Sequence, residues 1–104
     1  IKGYFEMGLM GIQAAEAHGG AAGSVMMVTL AVEEISKADA SSAIMVDVQN
    51  TLVAHPLLSA GTKEQLDKWM PALCSGMVGA YALSEASSGS DAFGLQTRAT
   101  KVDG

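Results

Sequence analysis

The chain is poor in most of the residues that betray a chemistry at first sight. It has a single cysteine, Cys74, so no internal disulfide can form, and this usage fits a reducing compartment. Cys74 has no histidine or cysteine neighbour in sequence, which favours a buried or idle thiol over a nucleophile. No group of His, Cys and Asp residues has the spacing of a metal site. Six basic residues stand against eleven acidic ones, for a net charge of −5, and no basic run occurs. That balance argues against nucleic acid as a partner. The longest apolar stretch, Val25 to Val32, is interrupted by Thr29 and is far too short to span a bilayer. Two phenylalanines against seven methionines point to an adaptable core, not a methionine-rich binding face. Neither a signal or transit segment nor an internal repeat is visible.

What is present begins as helix. Ile1 to Met7 reads as the last turns of one, with Gly8 suited to the left-handed residue beyond it. Gln13 to Gly23 is loop, punctuated by Gly19-Gly20, and His18 within it reads as a packing residue with no carboxylate fixed beside it. Ser24 can cap a helix to about Lys37 that is apolar nearly all round until Glu33. Such a helix needs cover on all sides, more than 104 residues can supply. Ser41 or Asp39 caps the next helix, which carries Ile44, Met45, Val48, Leu52 and Val53. Asp47, Gln49 and Asn50 lie among these as pocket-lining, solvated or helix-contact residues. Pro56 should end this helix or kink it near His55, itself a surface or dipole-stabilising residue.

Thr62-Lys-Glu-Gln65 forms a capping box, followed by Leu66, Trp69, Met70 and Leu73 at amphipathic spacing. Trp69 is the expected core anchor of that helix, Pro71 an expected kink, and Ser75-Gly76 its end. After Gly76 the period changes. Met77 to Leu83 and Leu95 to Val102 alternate as strands do. The predicted fold class is therefore mainly α with a β C-terminal end, divided into a helical domain at 1–76 and the beginning of a β domain at 77–104. Asp103-Gly104 favours the centre of a hairpin turn. With Ile1 as its first residue, the chain is expected to be a fragment of a longer protein.

Between the two predicted strands lies the stretch Tyr81-Ala-Leu-Ser-Glu-Ala-Ser-Ser-Gly-Ser-Asp-Ala-Phe-Gly94. Nothing large or apolar occurs from Ser84 to Asp91. Small residues let a backbone approach a ligand closely, and successive N–H groups can form an anion nest. Ser84, Ser87, Ser88 and Ser90 add hydroxyl donors. A plain surface loop is the competing interpretation of the same composition.

The order of residues goes further. Ala82-Leu83-Ser84-Glu85, two variable positions, Ser88-Gly89-Ser90-Asp91, two more, then Gly94 resembles the flavin-binding signature of the acyl-CoA dehydrogenases. Gly8-Leu9-Met10-Gly11-Ile12, Gly19-Gly20, Glu33-Glu34-Ile35-Ser36-Lys37, Asn50-Thr51-Leu52-Val53 and Gly61-Thr62-Lys63-Glu64-Gln65 fall in the family's order, so the resemblance covers essentially the whole chain. Asp91-Ala92-Phe93 and Asp47 to Leu52 look most like its short/branched-chain branch. Ala86, Ser87 and Ser88 depart from the usual motif, where proline, glycine and alanine stand. Losing the proline raises the cost of ordering the loop.

The resemblance implies an all-helical N-terminal domain leading into a middle β-barrel-like domain, here truncated. It implies α,β-dehydrogenation of a short or branched-chain acyl-CoA with FAD, and electron transfer to electron-transferring flavoprotein. Tyr81, Ala82, Leu83, Ser84, Glu85, Ala86, Ser87, Ser88, Gly89 and Ser90 would line FAD, and Ser90 would also reach the substrate's pantetheine arm. Glu85 and Asp91 would be orienting carboxylates. The catalytic glutamate would lie outside this chain, so the fragment alone should be inactive. A homo-oligomer, a tetramer in the family, is implied, as is a mitochondrial matrix location in a eukaryote or a cytoplasmic one in a bacterium. A non-catalytic helical interaction module and an acyl-CoA oxidase are the alternatives.

Overall fold

A computed structural model describes residues 1–102; Asp103 and Gly104, the expected hairpin turn, lie outside the described residues. Helix α1, Lys2–Glu6, gives way to Gly8, whose φ of +74° is the left-handed conformation that glycine adopts without strain. Two short 3₁₀ turns, Leu9–Gly11 and Glu16–His18, carry the chain to Ser24. The Ser24 hydroxyl accepts the Met27 N–H at 3.3 Å and starts α2, Val25–Ser36. Asp39 accepts the N–H groups of Ser41 and Ser42 at 3.2 and 3.1 Å and starts α3, Ala40–Val48.

Pro56 does not end this helix. The chain passes from α3 through a π-helical stretch, Gln49–Ala54, straight into α4, His55–Ala60. Pro56 sits in the first turn of α4, where a missing N–H is best tolerated. Gly61 makes the break, and both halves of the Thr62/Gln65 capping box form at the head of α5, Lys63–Ser75. Helix α5 runs on through Pro71 and stops at Gly76.

Helix α2 packs along α3 through buried Val28, Ala43 and Val46. A second core joins Met70, Leu73 and Cys74 of α5 to Ala54 and Ala14, with Val53, Leu57, Leu58 and Leu66 around it. Of the expected stripe of α5, Met70 and Leu73 are buried and Leu66 packs against them, with Cys74 added and Trp69 left out. Trp69 stays 41% exposed on its flank, with the Lys68 ammonium 4.6 Å from its ring centroid. Cys74 is buried, and burial raises its thiol pKa, as befits an idle side chain.

The predicted strands are not seen. Among the described residues no β-ladder forms at 77–83 or 95–102, and the only bridge is the isolated Glu85–Ser88 pair. Alternation makes a segment competent to pair, but a strand also needs a partner edge, and neither segment meets one. The helical part of the fold class holds; its β end is corrected to irregular chain. The radius of gyration, 15.2 Å, exceeds the roughly 13 Å of a domain this long, in keeping with a mostly exposed tail.

Helix α2 is nearly as uncovered as its sequence warned, with Met26 64% and Leu30 53% exposed beside Val25 and Met27. No helix among the described residues is long and apolar enough to cross a membrane. Residues 1–104 expressed alone are therefore expected to bind a hydrophobic dye and to lack a sharp thermal transition. A cooperative melt with strong near-ultraviolet dichroism would contradict this.

Candidate functional site

The loop at 84–94 is built by its own polar groups. Glu85 and Ser88 exchange both backbone hydrogen bonds at 3.0 Å, closing a tight turn over Ala86 and Ser87. Ser88 is buried, and its hydroxyl donates to the Asp91 carbonyl. The Asp91 carboxylate accepts the Phe93 N–H at 3.1 Å and starts the 3₁₀ turn Ala92–Gly94. The Glu85 carboxylate reaches across the loop. It accepts the Thr97 hydroxyl, the Gln96 N–H, the Thr97 N–H at 3.0 Å and the Ser87 hydroxyl at 3.2 Å. Ser84 and Ser90 remain exposed, and neither hydroxyl has a hydrogen bond among the described residues. Tyr81, Ala82 and Leu83 run exposed into this turn, and Ala86 and Gly89 sit exposed within it.

These bonds, led by the Thr97 hydroxyl and then the Gln96 N–H, hold the Glu85 pKa below its ordinary 4.5. A folded-state pKa lowered in this way stabilises the loop above the unfolded value and stops doing so as pH falls through the folded one. The Glu85–Thr97 clasp is therefore expected to loosen below pH 4.5. Proteolysis within 84–97 should rise there in the wild type, and Glu85→Gln should flatten that acid dependence. An unchanged acid profile in Glu85→Gln would contradict the clasp.

A shallow groove of about 360 Å³ lies on the loop, walled by Glu85, Ala86, Ser87, Gln96 and Thr97. A larger cavity of about 640 Å³ opens elsewhere, between α1 and the end of α5. Its charged side chains, Lys2 and Glu6, pair with each other at 3.4 Å. Neither Ser84 nor Ser90 lines the loop groove; the loop is the better candidate because of these two exposed hydroxyls, which have no partner among the described residues.

The family profile described as "Acyl-CoA dehydrogenase, N-terminal domain" matches residues 1–77. The chain belongs to the acyl-CoA dehydrogenase family. It is 42% identical over 101 residues to the mitochondrial short/branched chain specific acyl-CoA dehydrogenase of Rattus norvegicus, covering 97% of this chain and 23% of the relative. It is 43% identical over 101 residues to a probable short/branched chain specific acyl-CoA dehydrogenase of Dictyostelium discoideum, covering 97% and 24%. An acyl-CoA dehydrogenase of Bacillus subtilis (strain 168) is 42% identical over 105 residues, covering 100% and 28%. The chain thus spans about a quarter of the length of the curated relatives it matches.

Within this acyl-CoA dehydrogenase chain, the helix-contact alternative holds for Gln49 and Asn50, and the reading of His18 is corrected. His18 is not a bare packing residue: its Nε2 lies 3.1 Å from the Asp67 carboxylate, which Lys63 also meets. The Lys63 ammonium first, then His18, lowers the Asp67 pKa. Asn50 is fully buried: its Oδ1 accepts the Ile12 N–H at 2.9 Å, and its Nδ2 donates to the Leu9 and Val46 carbonyls, each at 2.8 Å. Gln49 is buried beside it. Neither amide is solvated or open to a pocket; both tie the π-helical stretch to neighbouring chain. No local pattern announces contacts between residues about 40 positions apart.

Proposed function

We propose that this chain forms part of an FAD-dependent dehydrogenase acting on short or branched-chain acyl-CoA thioesters, and that the Tyr81–Ser90 loop grips the cofactor. The observation that carries the proposal is the contrast among four serines in one loop. Ser87 and Ser88 hold the loop's own shape, whereas Ser84 and Ser90 are exposed and their hydroxyls have no partner among the described residues. A Cβ built on Gly89 would meet nothing within 4 Å, so the approach to the turn is open. Hydroxyl and backbone donors without a basic side chain suit the polar edge of a flavin ring and a phosphate. Ser84 would donate to the ring, and Ser90 to the cofactor's phosphates and the substrate's pantetheine arm. When bound, FAD would supply the redox chemistry, accepting the hydride from the substrate's Cβ.

Glu85 and Asp91 already accept hydrogen bonds from the loop. At Glu85 such bonds lower the pKa and make a poor proton acceptor. Membership of the family supports a glutamate base outside these residues, which would leave the isolated chain inactive. Residues 1–76 would be the helical N-terminal domain. Residues 77–104 would open the middle β domain, whose remaining chain supplies the edges that 77–83 and 95–102 lack. Electron-transferring flavoprotein is the proposed acceptor and a homo-oligomer the proposed assembly. The name of the Rattus norvegicus relative supports a mitochondrial location in a eukaryotic host, for which the matrix is proposed; the cytoplasm is proposed for a bacterial host.

The test is turnover of the full-length protein with straight, branched and long acyl-CoA thioesters, using the flavoprotein or oxygen as acceptor. Short and branched substrates with the flavoprotein should turn over fastest. Equal rates with oxygen would make it an oxidase, and no turnover with any thioester would favour an interaction module.

A further inference from the structure

We propose that Gln49 is a positioning residue for the cofactor loop, an inference that rests on the flavin-loop assignment above. Its side chain is 1% exposed and uses both ends of its amide. Nε2 donates to the Leu73 carbonyl at 3.0 Å and to the Met77 carbonyl at 2.9 Å. Oε1 accepts the Gly79 N–H at 2.9 Å. One side chain thus holds the last turn of α5 and the first residues of the chain that leaves it.

The arrangement answers a local need. Carbonyls in the last turn of a helix lack intrahelical partners. Here the N–H groups of both Gly76 and Met77 turn back to the Ala72 carbonyl, at 3.1 and 2.8 Å, and Gln49 serves Leu73. The departing chain then presses on the same π-helical stretch. A Cβ at Gly79 would stand 2.2 Å from Val53 Cγ1, so only glycine lets the backbone lie this close. Val53 is β-branched and stiff at χ1, and cannot swing aside cheaply. π-Helical stretches recur at functional sites because they aim side chains that a regular helix would turn elsewhere.

Tyr81, where the loop begins, is two residues beyond Gly79. Between Gly79 and the Glu85 turn, residues 80–84 are exposed. Glu85 fixes the shape of the loop through Gln96 and Thr97. Gln49 and Val53 fix where that shape stands relative to the helices.

The experiment compares wild type, Gln49→Met and Val46→Ala in the full-length protein. Met keeps the length of glutamine and loses its polar groups. Val46 is fully buried on α3 and gives a control of pure packing loss. Hydrogen exchange of the Gly79 amide N–H, which Gln49 accepts, is read in the flavin-free protein, and FAD affinity and Tm are measured alongside. Gln49→Met should raise exchange there and weaken FAD binding, each by about tenfold or more. Val46→Ala should lower Tm while changing FAD affinity by less than about threefold. Unchanged exchange in Gln49→Met would overturn the clamp whether or not flavin binds. Raised exchange with unchanged FAD affinity would overturn the positioning role. Raised exchange in a protein whose wild type takes up no FAD would overturn the flavin-loop assignment instead and leave the clamp standing. Equal loss of FAD in both variants, tracking Tm, would reduce Gln49 to a general stabiliser.

Discussion

Asn50→Ala is expected to lower the Tm of the full-length protein by roughly 2–5 °C, the thermal equivalent of about 2–4 kcal/mol. The side chain is completely buried and makes three hydrogen bonds that join the π-helical stretch to the Leu9–Ile12 segment and to α3. Truncation removes all three and leaves donors and acceptors in a place water reaches poorly, which costs more than losing an exposed bond. The loss should also free Gln13, whose side-chain amide donates to the Asn50 carbonyl at 3.4 Å, because the segment it anchors will shift. Ser59→Ala, which removes an exposed hydroxyl near His55, should change stability by no more than about 0.5 kcal/mol. Similar small shifts in both variants, seen in parallel thermal melts, would show that Asn50 is not a structural tie.

Ser90→Ala is expected to weaken FAD retention or raise KM for acyl-CoA about ten- to a hundredfold, whereas Ser87→Ala should change either by less than about threefold. A hydroxyl donating to a charged phosphate contributes about 1.5–3 kcal/mol. The Ser90 hydroxyl is free to do so. The Ser87 hydroxyl already donates to Glu85 at 3.2 Å, one of several donors on that carboxylate, and its loss leaves the others in place. Both serines are exposed in the same loop, so general loop damage should affect them alike. Parallel flavin titrations in which the two variants behave equally would sink the assignment of Ser90.

The helices were legible because their ends are written in local chemistry. Ser24, Asp39 and the Thr62/Gln65 pair are capping residues within a turn of the N–H groups they serve. The exposed face of α2 was legible too, as a helix with too little polar surface. Strands were not, because alternation at 77–83 records only what a segment tolerates, and pairing is decided by chain that lies far away in sequence. Trp69 failed as an anchor for a related reason: amphipathic spacing gives a stripe, but the neighbours fix its phase, and Met70, Leu73 and Cys74 face the core. Pro56 does not end its helix because the cost of a proline depends on its place in a helical turn, and here it falls in the first turn of α4, just after the change from π- to α-helix. In the loop, residue types and order were visible in the sequence. Which serines are free was not, since that follows from how Glu85 and Asp91 draw the other two inward.

The central claim is that Tyr81–Ser90 forms one side of a flavin site in an acyl-CoA dehydrogenase. Its most direct test is the visible spectrum of the full-length protein, equilibrated with FAD, before and after anaerobic addition of a short branched acyl-CoA. An oxidised-flavin band that appears on the protein, bleaches with the thioester and is reduced in occupancy by Ser90→Ala is the predicted result. A protein that takes up no flavin, or whose bound flavin no acyl-CoA bleaches, would contradict it.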